Sequence, residues 1–180
     1  MDFRQLFLDA FGLVRAPVRE ASVFLNDPLT GVIFFAVLVI ALSWLFREQR
    51  KIPFIITAII VALLLGLAFK SFLQEERPCA SMPGKINCPL DFALPSMHAL
   101  LAFTLVVLAV GNRSFAVYLI FALFTAFSRV YLGVHTISEV AAGLAMAFFA
   151  CVLNEILWKK MKWEIPAEIH LRHDSARLRK

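Results

Sequence analysis

The chain has 180 residues, 61% of them apolar and 17% charged, with a mean hydropathy of +0.79 and a formal net charge of +5. A water-soluble domain carries about a quarter charged residues, so this composition excludes one and makes lipid the solvent for most of the surface. The basic residues sit at the ends of apolar runs with no stacking aromatics among them, which excludes a nucleic-acid surface.

Residues 1–27, "MDFRQLFLDAFGLVRAPVREASVFLND", mix acids and bases from the second position, unlike a basic-then-apolar leader, and no cleavable signal is expected. Phe3, Leu6, Phe7, Ala10, Phe11 and Val14 recur at three-and-four spacing. That predicts a short amphipathic helix within 1–28, either lying in the membrane interface or packed on a bundle. Five apolar segments follow, at 31–46, 52–69, 97–111, 114–127 and 140–158. Each approaches the roughly 20 residues a span requires; the third and fourth are short and can extend into the polar residues beside them. Pro53 falls in the first turn of its segment, where its missing N–H costs least. The expected fold is all-α: one polytopic transmembrane helix bundle of about five spans, plus the N-terminal interfacial helix.

The gaps between segments differ in charge. Residues 47–51 ("REQRK"), 112–113 ("NR") and 159–162 ("KKMK") are short and basic, whereas in 70–94 Lys70, Arg77 and Lys85 balance Glu75, Glu76 and Asp91. Short basic loops mark the cytoplasmic side. Counting five crossings puts all three basic gaps on that side and the polar stretches at 70–78, 95–98 and 128–139 on the other. Cys79 and Cys88 then lie in an outer loop where a disulfide can form and persist; two unpaired thiols are the alternative. Cys151, inside the last segment, reads as a small core residue.

Three polar stretches stand out against this background. In "KSFLQEERP", Lys70 and Arg77 are seven positions apart, which on a continuous helix returns both to one face and suits a phosphate. Taken alone, Lys70 snorkelling to the surface and Arg77 pairing with Glu75 or Glu76 explains the stretch better. In "LPSMHAL", Ser96 is a helix N-cap candidate. His98 falls in the first turn, where free N–H groups attract anions; a plain helix start is equally consistent. In "SRVYLGVHTISE", Arg129 borders an apolar run, where an ionisable residue calls for a functional explanation. His135 and Glu139 are four apart, so a carboxylate can orient the ring. Thr136 and Glu139 also spell a capping box, which would turn Glu139 to the backbone but leaves Arg129 unexplained. Separate structural explanations for all three stretches would require three coincidences on one face of a membrane protein.

Together these stretches resemble the three signature motifs of the type 2 phosphatidic acid phosphatase superfamily, K-x6-RP, PSGH and SR-x5-H-x3-D. Here they read Lys70-x6-Arg77-Pro78, Pro95-Ser96-Met97-His98 and Ser128-Arg129-x5-His135-x3-Glu139, in the same order and in the same places between spans. Met97 stands where the family has glycine, a change that bears on pocket shape, and Glu139 stands where it has aspartate, which lengthens the arm reaching the ring. The resemblance implies phosphoryl transfer through a covalent histidine, with no metal and no cofactor. His135 would be the nucleophile, Glu139 its orienting carboxylate, and His98 the general acid and then base. Lys70, Arg77, Ser96 and Arg129 would bind the phosphoryl oxygens.

The implied organisation is a transmembrane phosphatase domain over 1–162, including an interfacial helix (1–28) and an extracytoplasmic loop (70–96), followed by a cytoplasmic basic tail (163–180). His170 and His173 in that tail lack further metal ligands and read as solvated. The implied partners are a lipid phosphate substrate and membrane lipids, in the plasma membrane, with the active site on the extracytoplasmic face. A polyprenyl diphosphate, phosphatidylglycerol phosphate or phosphatidic acid fits such a site, with a lean towards the first. Lipid-to-lipid phosphotransfer and a non-catalytic lipid-phosphate-binding relative are the alternatives. An anion transporter is disfavoured because the middles of the spans are almost bare of polar residues.

Overall fold

A computed structural model of the chain describes residues 16–25, 27–81 and 86–161. The amphipathic pattern at 3–14 and the tail at 163–180 lie outside the described residues. Among those residues all regular structure is helical: α1 (16–25), α2 (Pro28–Leu45), a 3-10 turn (Gln49–Lys51), α3 (Ile52–Leu73), α4 (Pro78–Ser81), α5 (Met97–Leu108), α6 (Phe115–Tyr131) and α7 (Ile137–Lys160).

The five apolar segments thus become five long helices, but they are not equivalent. α3 and α7, of 22 and 24 residues, are each long and apolar enough to cross a membrane, whereas the other three are shorter. α6 extends into the polar motif, as its short apolar run requires. α5 does not extend, and its 12 residues cover only about 18 Å, against about 30 Å of hydrocarbon. Its burial gives the reason. α5 packs against α3, α6 and α7, and Ala99, Leu100, Ala102, Phe103, Thr104, Leu105 and Val106 are all buried. It is the central pillar of the bundle, apolar all round because protein surrounds it. By contrast, Trp44, Leu64, Ile120 and Phe148 on the outer faces of α2, α3, α6 and α7 are each more than 60% exposed, as expected of helices facing lipid.

Small residues bring the helices together. Ala58, Ala62 and Gly66 on α3, Ala99 and Ala102 on α5, and Gly143, Ala147 and Ala150 on α7 are buried, which permits the close backbone approach typical of membrane bundles. At Gly143 a Cβ would sit 2.9 Å from the Ser96 carbonyl oxygen and 3.1 Å from the Leu100 nitrogen. α7 is thereby pressed against the start of α5, and the Ser96 N–H donates to the Glu139 carbonyl at 3.2 Å. A packing requirement in the core therefore fixes the spacing between two of the sequence motifs.

Two of the basic gaps meet at one end of the bundle. Lys51 Nζ donates to Asn112 Oδ1 at 2.8 Å, and Ser114 Oγ donates to Glu48 Oε2 at 3.1 Å. The polar motifs gather at the opposite end, around a shared cavity.

Candidate active site

Lys70, Arg77, His98, Arg129 and His135, contributed by five separate parts of the chain, line one cavity of about 490 Å³ together with Asp91 and residues 87–90. Each arrives by a different local route. Lys70 is in the last turn of α3, is 5% exposed and does not snorkel to the surface. Arg77 is not on that helix: α3 ends at Leu73, and Gln74 takes a left-handed conformation with φ 48°, which turns the chain. The two cations meet through this turn, not through a shared helical face. His98 is in the first turn of α5, and Arg129, 1% exposed, is in the last turn of α6. His135 follows a tight connection in which the Val134 and His135 N–H groups both donate to the Arg129 carbonyl at 3.3 Å.

His135 Nδ1 donates to Glu139 Oε2 at 2.6 Å, with both side chains buried. On the other edge of the ring, Arg77 Nη1 lies 3.0 Å from Nε2. A guanidinium can only donate, so Nε2 carries the lone pair and Nδ1 the proton. Glu139 also serves as a cap residue: its N–H donates to Thr136 Oγ1 at 3.3 Å, and its Oε1 accepts from the Thr136 hydroxyl at 2.8 Å. The capping and orienting roles suggested by the sequence are therefore compatible, because the two carboxylate oxygens divide them. The longer glutamate arm spans both. Burial, then Arg77, Arg129 and Lys70, push the His135 pKa well below its ordinary value, so the ring is neutral at neutral pH. A neutral imidazole with one nitrogen held by a buried carboxylate and the other aimed into a cationic cavity can act as a nucleophile or base.

Ser96 differs from its sequence-based expectation. It occupies the N-cap position of α5 but makes no side-chain cap hydrogen bond, and it is not among the residues lining the cavity. It is fully buried, and its Oγ has no hydrogen-bond partner among the described residues; its backbone N–H bonds the start of α5 to α7.

Asp91 was legible only as one of several loop charges. It receives Arg77 Nη2 at 2.7 Å and an ion pair from Lys70, while its backbone oxygen accepts from Arg77 Nε at 2.9 Å. Arg77 therefore pairs with Asp91 and not with Glu75 or Glu76. A disulfide joins Cys79 to Cys88, three residues before Asp91. No motif marks this aspartate; its only sequence signal is its place in the loop between two cation-bearing stretches.

A second cavity, of about 290 Å³, is lined by Leu25, Gly31, Val32, Phe35, Ile59, Leu63, Leu101, Phe121 and Thr125, and shares Met97 and His98 with the first. It is almost wholly apolar. Ile59 and Leu63 precede Lys70 by two to three helical turns on α3, so the second cavity runs inward from the polar one. Met97 forms part of the wall between them. Its side chain packs against α3 at Gly66, where a Cβ would meet Met97 Sδ at 2.5 Å. The bulk that replaces the family's motif glycine is thus accommodated by a glycine on the facing helix.

Comparison with known proteins places this geometry. Bacitracin transport permease protein BcrC of Bacillus licheniformis is 25% identical over 174 residues, covering 90% of this chain and 84% of that protein. The putative undecaprenyl-diphosphatase YbjG of Escherichia coli K12 is 26% identical over 167 residues, covering 87% and 84%. Among solved structures, the transmembrane PAP2-type phosphatidylglycerolphosphate phosphatase of Bacillus subtilis superposes with a TM-score of 0.56 at 19% identity, over 84% of this chain and 88% of that one. Aquifex aeolicus LpxE superposes with a TM-score of 0.54 at 25% identity, over 74% and 91%. The sequence model of the PAP2 superfamily, whose members are phosphatases acting on lipid phosphates, matches residues 51–163. That match takes in all three polar motifs and four of the five long helices, and the chain belongs to the PAP2 superfamily.

Proposed function

We propose that the protein is a lipid phosphatase that removes the terminal phosphate of a lipid phosphate or diphosphate through a phosphohistidine, with the charge of the reaction met by protein cations and not by a metal. The observation that carries this reading is the pair of cavities walled in common by Met97 and His98: one cationic and facing His135, the other apolar. A lipid whose phosphate lies between Lys70, Arg77 and Arg129 and whose chain enters the apolar cavity brings its bridging oxygen to the level of His98.

His135 Nε2 attacks the phosphorus as the P–O bond to the lipid breaks, and His98 gives its proton to the departing oxygen. Glu139 holds the Nδ1 proton and stabilises the ring as it becomes cationic. Water then loses a proton to His98 and attacks the phosphorus. The P–N bond breaks, releasing inorganic phosphate and restoring neutral His135. The three cations stabilise the phosphoryl oxygens in both steps. Active-site access is extracytoplasmic, since the opposite end carries the basic gaps. A polyprenyl diphosphate is the favoured substrate; the name of the E. coli relative, an undecaprenyl-diphosphatase, supports that preference.

The test is phosphate release by the detergent-purified protein in EDTA. The panel is a polyprenyl diphosphate, phosphatidylglycerol phosphate and phosphatidic acid, with His135→Ala alongside. Release by the wild type and none by the variant, together with an acid-labile phosphoenzyme, is the expected result. Silence on every lipid from folded protein overturns the reading.

A further inference from the structure

Asp91 pairs with two of the three cations proposed to hold the phosphate. Lys70 pairs with its Oδ2 and Arg77 Nη2 donates to its Oδ1 at 2.7 Å, so an ammonium and one arm of a guanidinium each hold a carboxylate oxygen as they would hold two phosphoryl oxygens. The cations are buried and the anion is not: the side chains of Lys70 and Arg77 are 6% and 7% exposed, whereas that of Asp91 is 55% exposed. The carboxylate has an open route to water that its partners lack. The Cys79–Cys88 disulfide keeps the Asp91 segment beside Arg77, so this internal anion is present at high effective concentration. Burial opposes its charge, but Lys70 and Arg77 outweigh that and hold its pKa below the ordinary value, so it is ionised at neutral pH. Arg77 Nη1, which also donates to the Val134 carbonyl at 3.2 Å, lies against His135 Nε2 and occupies the lone pair that must attack while Asp91 holds the opposite arm of the guanidinium.

We propose that Asp91 is a specificity-determining residue, an internal competitor bearing a single charge that only a ligand end with more than one negative charge displaces. The proposal rests on the reading of this cavity as a phosphate site. A terminal phosphate carries roughly −1.5 to −2 at neutral pH, whereas a phosphodiester headgroup carries a single charge and gains little over the carboxylate already in place. An enzyme embedded in phospholipid is surrounded by such diesters, and Asp91 keeps them out. Displacement of Asp91 also lets Arg77 turn from His135 to the phosphate, so recognition of the correct end releases the nucleophile.

The experiment compares full-length wild type, Asp91→Asn, Asp91→Ser and Asp91→Glu in detergent. Thermal-unfolding shifts are read against inorganic phosphate and against short-chain phosphatidylglycerol, the diester probe. Phosphate release from polyprenyl diphosphate is followed with and without that diester. Wild type and Asp91→Glu should be stabilised by phosphate and indifferent to the diester. Asp91→Asn and Asp91→Ser should bind phosphate on the order of tenfold more tightly, as expected when one competing charge is removed from a partly screened site, and should become diester-inhibited. Reduction of the disulfide in the wild type, which loosens the tether without touching Asp91, should shift both affinities the same way. If the variants that fold bind phosphate no more tightly and still ignore the diester, Asp91 merely positions Arg77 and the proposal fails; if neither folds, absence of any shift on reduction overturns it. Binding is read without turnover, so wild type that is inactive on all lipids would sink the phosphatase reading while leaving the Asp91 result to stand or fall separately.

Discussion

Both ends of the bundle bury charge, and they do so differently. At the basic-gap end, Glu48 and Lys51 are 9% and 3% exposed, and each is matched by a neutral partner from the loop between α5 and α6, Ser114 and Asn112. The space among these residues amounts to about 10 Å³, room for one water at most. At the other end, three cations and two histidines surround a cavity of about 490 Å³ that one half-exposed carboxylate partly neutralises. The first arrangement closes a helix connection, since Glu48 and Lys51 each find a polar partner within the protein and there is no room for a ligand. The second leaves positive charge facing open space, a costly state for a fold and a useful one for an anion site. The difference separates the two kinds of buried charge more clearly than either burial or residue type does.

That contrast can be broken at several points. The largest effect is expected at Glu139→Gln, which keeps the shape but no longer enforces the Nδ1–H tautomer of His135. Phosphate release should fall by about three to four orders of magnitude, the scale for losing a histidine's orienting carboxylate, with substrate binding nearly unchanged. Steady-state kinetics on the preferred lipid checks this, and a loss confined to KM would contradict it. At the opposite end, Ser114→Ala removes the hydroxyl that serves Glu48 and should cost about 1–3 kcal/mol of stability while kcat per folded molecule stays the same. A large kcat change there would mean the two ends communicate.

Gly66→Ala drives a methyl into Met97 at the wall between the cavities. It should cost about 1–3 kcal/mol by overpacking and reduce turnover. Adding Met97→Gly should recover part of both, since the methyl would still meet Leu100 Cδ2 at 2.7 Å, and a double-mutant cycle with no coupling would rule out their contact. The smallest effect is in the pH profile. Because burial and the three cations lower the His135 pKa, the ring stays neutral as pH falls past the ordinary histidine value of about 6.5. The acid limb of kcat/KM assigned to His135 should lie below that value. A limb at or above it would show that the cavity does not hold the ring neutral.

Much of this was legible in the sequence because it depended on composition and local order. Apolar content and the lack of polar faces dictate a helical membrane bundle, since backbone groups in hydrocarbon must be satisfied within the segment. The alternation of basic and motif-bearing gaps divides the bundle into two ends. The motif spacings identify His135, His98, Lys70, Arg77 and Arg129 as candidates, and the i,i+4 step from His135 to Glu139 is itself a helical contact. What the tertiary structure decided were matters of long-range neighbourhood. Apolar periodicity cannot distinguish a helix wrapped by lipid from one wrapped by protein, so nothing in the sequence marks α5 as the helix its neighbours surround. Helical phase could not carry Lys70 to Arg77 once Gln74 broke the helix. Ser96 keeps its cap position without a side-chain cap bond, and its backbone N–H, donating to the Glu139 carbonyl, ties α5 to α7 across a contact no local rule registers. Asp91, fourteen residues from Arg77 in the chain, meets its partners only through a loop closed by a disulfide, and local sequence rules do not register a contact made by closing a loop.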